Sequence, residues 1–87
     1  MTTRHGELEP SPPDRTVARV RKVALCARRS GMDWRRVRLR RPFGWSRDDF
    51  VTFLRLNTER GRWGYTLKGT GDVAVLEVTD ALLEEPM

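Results

Sequence analysis

Residues 34–41 read Trp34-Arg35-Arg36-Val37-Arg38-Leu39-Arg40-Arg41, and the period of the stretch is two. Val37 and Leu39 alternate with Arg36, Arg38 and Arg40, which is how a half-buried strand is written, apolar side chains on one face and three guanidinium groups on the other. Like charges that close together repel. The charged face must therefore be solvated or must meet an anion. An edge strand that uses charge to discourage pairing with another sheet would carry the same residues, so both readings stay open. Pro42 has no N–H to give a ladder and ends the strand.

On the N-terminal side of this strand the period changes to that of a helix. Asp14 can accept hydrogen bonds from the free N–H groups of a first turn, and Arg15 to Arg29 contain no Gly or Pro before Gly31 offers a left-handed stop. At 100° per residue Val17, Val20, Val23, Ala24 and Ala27 share one face, and Arg15, Arg19, Lys22 and Arg29 share the other. Leu25 falls among the bases, under partial cover from a neighbouring loop.

On the C-terminal side, Ser46 followed three residues later by Asp49 is a short form of the capping box, predicting a second helix from Arg47 to about Arg60. Its inner face is Phe50, Val51, Phe53, Leu54 and Asn57, with Asp48, Thr52, Arg55 and Glu59 outside, and Gly61 closes it. Trp63, Tyr65 and Leu67 then alternate with Gly64, Thr66 and Lys68, and Ala74, Leu76 and Val78 alternate with Val73, Val75 and Glu77. Gly69, Thr70 and Gly71 between the two runs supply the positive φ angles of a tight turn, so the runs form a hairpin. Asp80 to Glu85 adds a short acidic turn of helix before Pro86.

The chain of 87 residues holds one small α+β domain, helix–strand–helix–hairpin. Residues 1–13, with Pro10, Pro12, Pro13 and few apolar side chains, read as a disordered arm; residues 14–80 are the domain and 81–87 an acidic tail. A single cysteine, Cys26, leaves no internal disulfide and points to the cytoplasm. No stretch is apolar enough for a membrane span and no signal-peptide core is present.

The net charge of +5 conceals a segregation. Residues 15–68 carry 16 Lys or Arg against Asp33, Asp48, Asp49 and Glu59, a balance of +12, whereas residues 69–87 carry five acids and no base. Fifteen of the 17 bases are arginine, a skew that a GC-rich genome produces unaided. Genome composition accounts for the type of base but not for its concentration in one segment. The middle of the chain is the part a polyanion would feel.

The order of elements over residues 14–79 resembles a compact winged-helix domain whose second helix is replaced by Arg41 to Trp45. That resemblance implies a recognition helix in the major groove, here Arg47 to Arg60, and a hairpin wing on the phosphate backbone, here the Lys68 to Asp72 turn. The second helix nonetheless exposes Asp48 and Glu59 beside Arg47 and Arg55. An RNA-binding sheet that uses Arg36, Arg38 and Arg40, with Trp45 or Trp63 as stacking platforms, fits the arginine positions as well.

Catalytic machinery is not visible. His5 is the only histidine and lies in the arm, so no Ser/His/Asp or Cys/His relay can be built from the domain. Asp48 and Asp49 point to different sides of a helix, which disfavours a carboxylate metal pair, and no cofactor is expected. Lys68-Gly69-Thr70-Gly71 is too short for a phosphate-binding loop. Tyr65 with Arg62 and Lys68 is the one residue set of a kind that small ribonuclease toxins use, and Tyr65 reads first as a hairpin packing residue. Cys26 is neither clearly core nor clearly reactive. Trp34, Trp45 and Trp63 read as core, with Trp45 the most exposed.

The expectation is a non-enzymatic nucleic-acid binder, of DNA or RNA, of the size of a phage or plasmid regulator. The bases that would hold it are Arg36, Arg38, Arg40 and Arg41, helped by Arg19, Lys22, Arg29, Arg47, Arg62 and Lys68, with Trp45 beside them. The competing reading is a protein-interaction module whose basic surface docks on an acidic protein, with the acidic tail, Val73 and Val75 making contacts, including contacts between two copies in a homodimer.

Overall fold

The computed structural model describes residues 12–86. Its elements are α1 (Pro13–Arg29), β1 (Arg36–Arg40), α2 (Arg47–Glu59), β2 (Trp63–Lys68), β3 (Val73–Val78) and α3 (Asp80–Glu84). Of the arm read over residues 1–13, residues 1–11 and with them His5 lie outside the described residues. Pro12 and Pro13 belong to the helix start instead. Pro13 stands at a position whose N–H has no partner to lose, and Pro12 is the N-cap.

Both long helices end the same way. Gly31 (φ 75°) and Gly61 (φ 78°) adopt the left-handed conformation, and the chain turns back so that the N–H of Met32 reaches Ala27 O and that of Arg62 reaches Asn57 O. These six-residue loops, with Gly31 N bonded to Arg28 O and Gly61 N to Thr58 O, are Schellman motifs that satisfy carbonyls the helix leaves open. At the start of α2 the capping box is complete: Asp49 N donates to Ser46 Oγ at 3.0 Å and Ser46 N to Asp49 Oδ2 at 3.2 Å.

The three strands form one antiparallel sheet in the order β1-β3-β2. The hairpin β2–β3 is local, but β1 comes from before α2 and pairs with β3, so the last strand of the chain is the central one. Val37, Leu39, Ala74, Leu76, Val78 and Trp63 are buried on the inner face. Against them pack Val20 and Ala24 of α1, Phe50, Phe53 and Leu54 of α2, and Leu82 and Leu83 of α3. All three helices thus cover the inner face, and among the described residues the outer face is left open.

Helix α1 buries a face rotated from the one its valines suggest. Thr16, Val20 and Ala24 are buried, while Val23 is 48% exposed. Thr16 tolerates burial because its hydroxyl donates to Pro12 O at 3.2 Å. The covered arc also extends to Leu25, which packs on the core, on the side where α3 lies against α1.

Residues 81–87, read as a tail, contribute Leu82 and Leu83 to the core. The domain therefore extends through α3. Thr79 caps α3 by accepting from Leu82 N, and the single proton of its hydroxyl lies between the carbonyls of Gly61 at 2.6 Å and Arg62 at 3.0 Å. From α1, Arg21 donates to Leu82 O, Leu83 O and Glu85 O at 3.0–3.2 Å, occupying carbonyls at the end of α3 with a cation. Among the described residues no helix is long and apolar enough to cross a membrane.

Leu82 has no exposed surface, so Leu82→Ala is expected to lower unfolding free energy by about 2–5 kcal/mol. Glu84→Ala, on the exposed side of the same helix, should change it by less than about 0.5 kcal/mol. Urea denaturation followed by tryptophan fluorescence measures both, and equal small effects would mean that α3 is not part of the folded unit.

Candidate nucleic-acid interface

Strand β1 has the burial pattern its alternation demands, with Arg36, Arg38 and Arg40 exposed and Val37 and Leu39 buried. Register with the other strands turns this row into a surface. Arg40 lies opposite Val73 and, one strand further, Lys68; Arg38 opposite Val75 and then Thr66; Arg36 opposite Glu77 and then Gly64. These nine residues are the open face of the sheet. Successive arginines on it are about 6.6–6.8 Å apart along the strand, and Arg40 and Lys68 are separated by two strand spacings of about 4.8 Å.

The face is graded in charge. At one end Glu77 sits across from Arg36 and offsets it. At the other, Arg40 and Lys68 flank Val73 with no acid in the row. None of Arg36, Arg38, Arg40 and Lys68 forms an ion pair among the described residues.

The β2–β3 turn and the start of α2 border this end of the sheet. Arg41 donates its backbone N–H to Asp72 O at 2.7 Å, and its guanidinium pairs with Asp72 Oδ1 at 2.9 Å. Asp72 also accepts from Thr70 Oγ1 at 2.7 Å. Arg47, the first residue of α2, lies against Gly71 so closely that a Cβ there would stand 2.6 Å from Arg47 Nε. Lys68, Arg40, Arg41 and Arg47 are thereby gathered at one end of the sheet.

Other residues proposed from the sequence are elsewhere. Arg19, Lys22 and Arg29 are exposed on α1, the helix that packs on the inner side of β1, so they cannot join Arg36, Arg38 and Arg40 in one surface. Arg62 is committed to the fold. Its guanidinium forks onto Glu85 at 2.8 and 3.0 Å and donates to Asn57 Oδ1 at 2.6 Å, and the side chain is only 19% exposed. Asn57 in turn donates to Phe53 O, so the buried amide is bonded through both its nitrogen and its oxygen.

Neither tryptophan stands on the arginine face of the sheet. Trp63 is buried in the core on the opposite side of the sheet from the arginines, and its indole N–H has no acceptor among the described residues. Trp45, read as the most exposed of the three, is half-buried, with its ring crosswise to Phe53 at 4.9 Å and to Phe50 at 6.5 Å, against the core. In that loop Phe43 is the exposed aromatic. Trp34 is half-buried and is covered by the guanidinium of Arg35 at 4.1 Å, which also pairs with Asp80 at 3.2 Å.

Tyr65 points to the inner face beside Leu76, and Lys68 to the outer one, so Tyr65, Arg62 and Lys68 do not form a cluster. Among the described residues no three of His, Cys, Asp and Glu gather closely enough to hold a metal.

Four of the five acids that follow residue 68 are folded back onto the basic middle. Asp72, Asp80 and Glu85 pair with Arg41, Arg35 and Arg62, and Glu77 faces Arg36. A surplus that looks continuous in the sequence is thus divided. Arg35, Arg41 and Arg62 are neutralised by short contacts, whereas Arg38, Arg40 and Lys68 remain bare. Compared with known proteins, the chain matches no family model, no curated protein and no solved structure.

Gly71 has φ 91°, a conformation that costs an alanine about 1–2 kcal/mol, and its missing Cβ leaves room for Arg47. Gly71→Ala is expected to destabilise the domain by more than that backbone cost. In an Arg47→Ala background the same change should cost less, because only the backbone component remains. Four denaturation curves, forming a double-mutant cycle, measure the difference; strict additivity would deny the contact.

Proposed function

We propose that the protein binds nucleic acid through the open face of its sheet, by arginine contacts to the sugar-phosphate backbone. The observation that carries this reading is the row Arg36, Arg38 and Arg40, on a face that, among the described residues, no helix covers and no ion pair occupies, joined at one end by Lys68. The row repeats at about 6.6–6.8 Å, close to the separation of successive phosphates along one strand. Guanidinium groups match phosphate in shape, since two parallel N–H donors meet two oxygens.

The residues between the cations refine the mode. Val73, Val75, Thr66, Gly64 and Glu77 complete the face, and none can stack on a base. Single-stranded binding without sequence preference relies on aromatic platforms, so this surface suits a duplex, whose bases are already stacked and whose phosphates are held in a regular array. A groove-reading role for α2, as the winged-helix resemblance implies, has less support. Asp48, Asp49 and Glu59 stand along its exposed surface beside Arg47 and Arg55, and acids in that place repel phosphate.

A second reading, a protein-interaction module, is favoured by one feature. A groove of about 590 Å³ runs between the start of α1 and α2, lined by Pro13, Val17, Trp45, Phe53 and Leu56, and Leu56 is 47% exposed. Such a groove can hold an apolar side chain of another protein.

The test is a salt titration of binding to duplex DNA, duplex RNA and single strands, repeated with Arg36, Arg38 and Arg40 all changed to Thr, which keeps strand propensity. For the duplex DNA arm, log K against log salt should flatten by about 0.9 for each phosphate that is no longer neutralised, or nearly 3 for the triple variant. Affinity should rank duplex above single strand. No measurable duplex binding, or a slope untouched by the triple change, would defeat the proposal, and a tight salt-insensitive protein partner captured through the groove would favour the second reading.

A further inference from the structure

The open sheet face is one cationic surface, and a second stands on the other side of the domain. Arg15, Arg19, Lys22 and Arg29 are all exposed. At 100° per residue they fall within an arc of about 80°, and at 1.5 Å per residue they extend over about 21 Å of helix. No acid lies within that arc, and none of the four forms an ion pair among the described residues. Arg15 and Arg19, four apart, repel each other and weaken the helix. The stripe is as bare as the arginine row of β1.

The packing of α1 decides where the stripe points. Thr16, Val20 and Ala24 bury the opposite side of the helix in the core, and α1 contacts β1 through that core. Arg36, Arg38 and Arg40 leave β1 on its other face. Between the two sets of cations lie the helix itself, the core and the sheet. A straight duplex laid on the sheet cannot reach the α1 stripe, because the body of the domain, 22 Å across its shortest axis, intervenes.

We propose that the outward face of α1 is a second polyanion site, and that one protomer holds two nucleic-acid duplexes at once, bridging them. This rests on the reading of the sheet face as a nucleic-acid surface and adds to it a function, the joining of two segments. The stripe of about 21 Å matches roughly six base steps at 3.4 Å, enough to follow the backbone along half a helical turn. Like the sheet face, it offers no aromatic side chain, so both sites favour phosphates over bases. Cys26 is exposed within the same arc, between Lys22 and Arg29, and serves as a reporter of whether that face is covered.

The experiment is a bridging assay on the full chain. One duplex is fixed to beads, a second, labelled duplex is free, and protein is added at a concentration where light scattering finds a monomer. Wild type should retain the labelled duplex. Two variants, Arg36, Arg38 and Arg40 to Thr, and Arg15, Arg19, Lys22 and Arg29 to Gln, should each still bind one duplex with an unchanged circular-dichroism spectrum. Each should retain at least tenfold less labelled duplex on the beads. In the sheet-face variant, saturating duplex should slow alkylation of Cys26 severalfold.

Bridging unaffected by the α1 changes would overturn the proposal, as would duplex binding by wild type without retention, or alkylation of Cys26 indifferent to bound duplex in the sheet-face variant. Absence of any duplex binding by wild type would overturn the reading of the sheet face as well, which sets that failure apart from the others.

Discussion

Strand β3 lies between β1 and β2, and its pairing with both determines which surfaces the domain shows. Ala74 and Leu76 have no exposed area and Val78 almost none, so one side of the strand is the floor of the core. To reach β3, strand β1 must close a loop that includes all of α2 and β2, a long-range contact whose entropic cost comes before its benefit. The β1–β3 ladder and the burial of Val37 and Leu39, on the side where α1 packs, offset that cost. Once β1 is in place, three helices crowd one side of the sheet, and none of the described elements covers the other. The bare arginine face is a consequence of that asymmetry.

The second constraint is the return of the C-terminus to α1. Arg21 collects three carbonyls from the end of α3, and Arg62 forks onto Glu85 while bonding Asn57. Both guanidinium groups are partly buried, where a charge is costly unless its donors are occupied. Here they are occupied by carbonyls and a carboxylate. The arginines consequently divide into two classes by environment. Arg21, Arg35, Arg41 and Arg62 have partners and serve the fold; Arg38, Arg40 and the α1 stripe have none among the described residues.

This division explains what the sequence can and cannot convey. Alternation in β1 and in the hairpin, the Ser46–Asp49 box, and the stops at Gly31 and Gly61 are local signals, each complete within a few residues, and the structure has them where the pattern puts them. The position of β1 beside β3 is not local, and no periodicity encodes it. A helical wheel misplaces the buried face of α1 at Val23 and Thr16 because it weighs side-chain type, whereas Thr16 is buried with its hydroxyl satisfied by Pro12 O. Leu82 and Leu83 are hidden among Asp80, Glu84 and Glu85, whose charges suggest a solvated tail. At the site, Arg36, Arg38, Arg40 and Lys68 are legible because alternation fixes a face. Arg62 and the split between the two cationic surfaces are not, because both depend on which distant residue each base meets.

One alternative account of the β1 arginines remains, that they guard an exposed edge against pairing with another sheet. The strand order tests it. The sheet has two edges, β1 and β2, and an edge-guarding rule would apply to both. Strand β2 has six residues to the five of β1, yet carries a single charge, Lys68, and its outward side chains are otherwise Gly64 and Thr66. The longer edge is thus the less protected one. A need to discourage pairing does not concentrate three arginines on the shorter strand while leaving the other nearly neutral. A ligand that lies along β1 and across the Lys68 end of the sheet would account for both the concentration of charge and its direction.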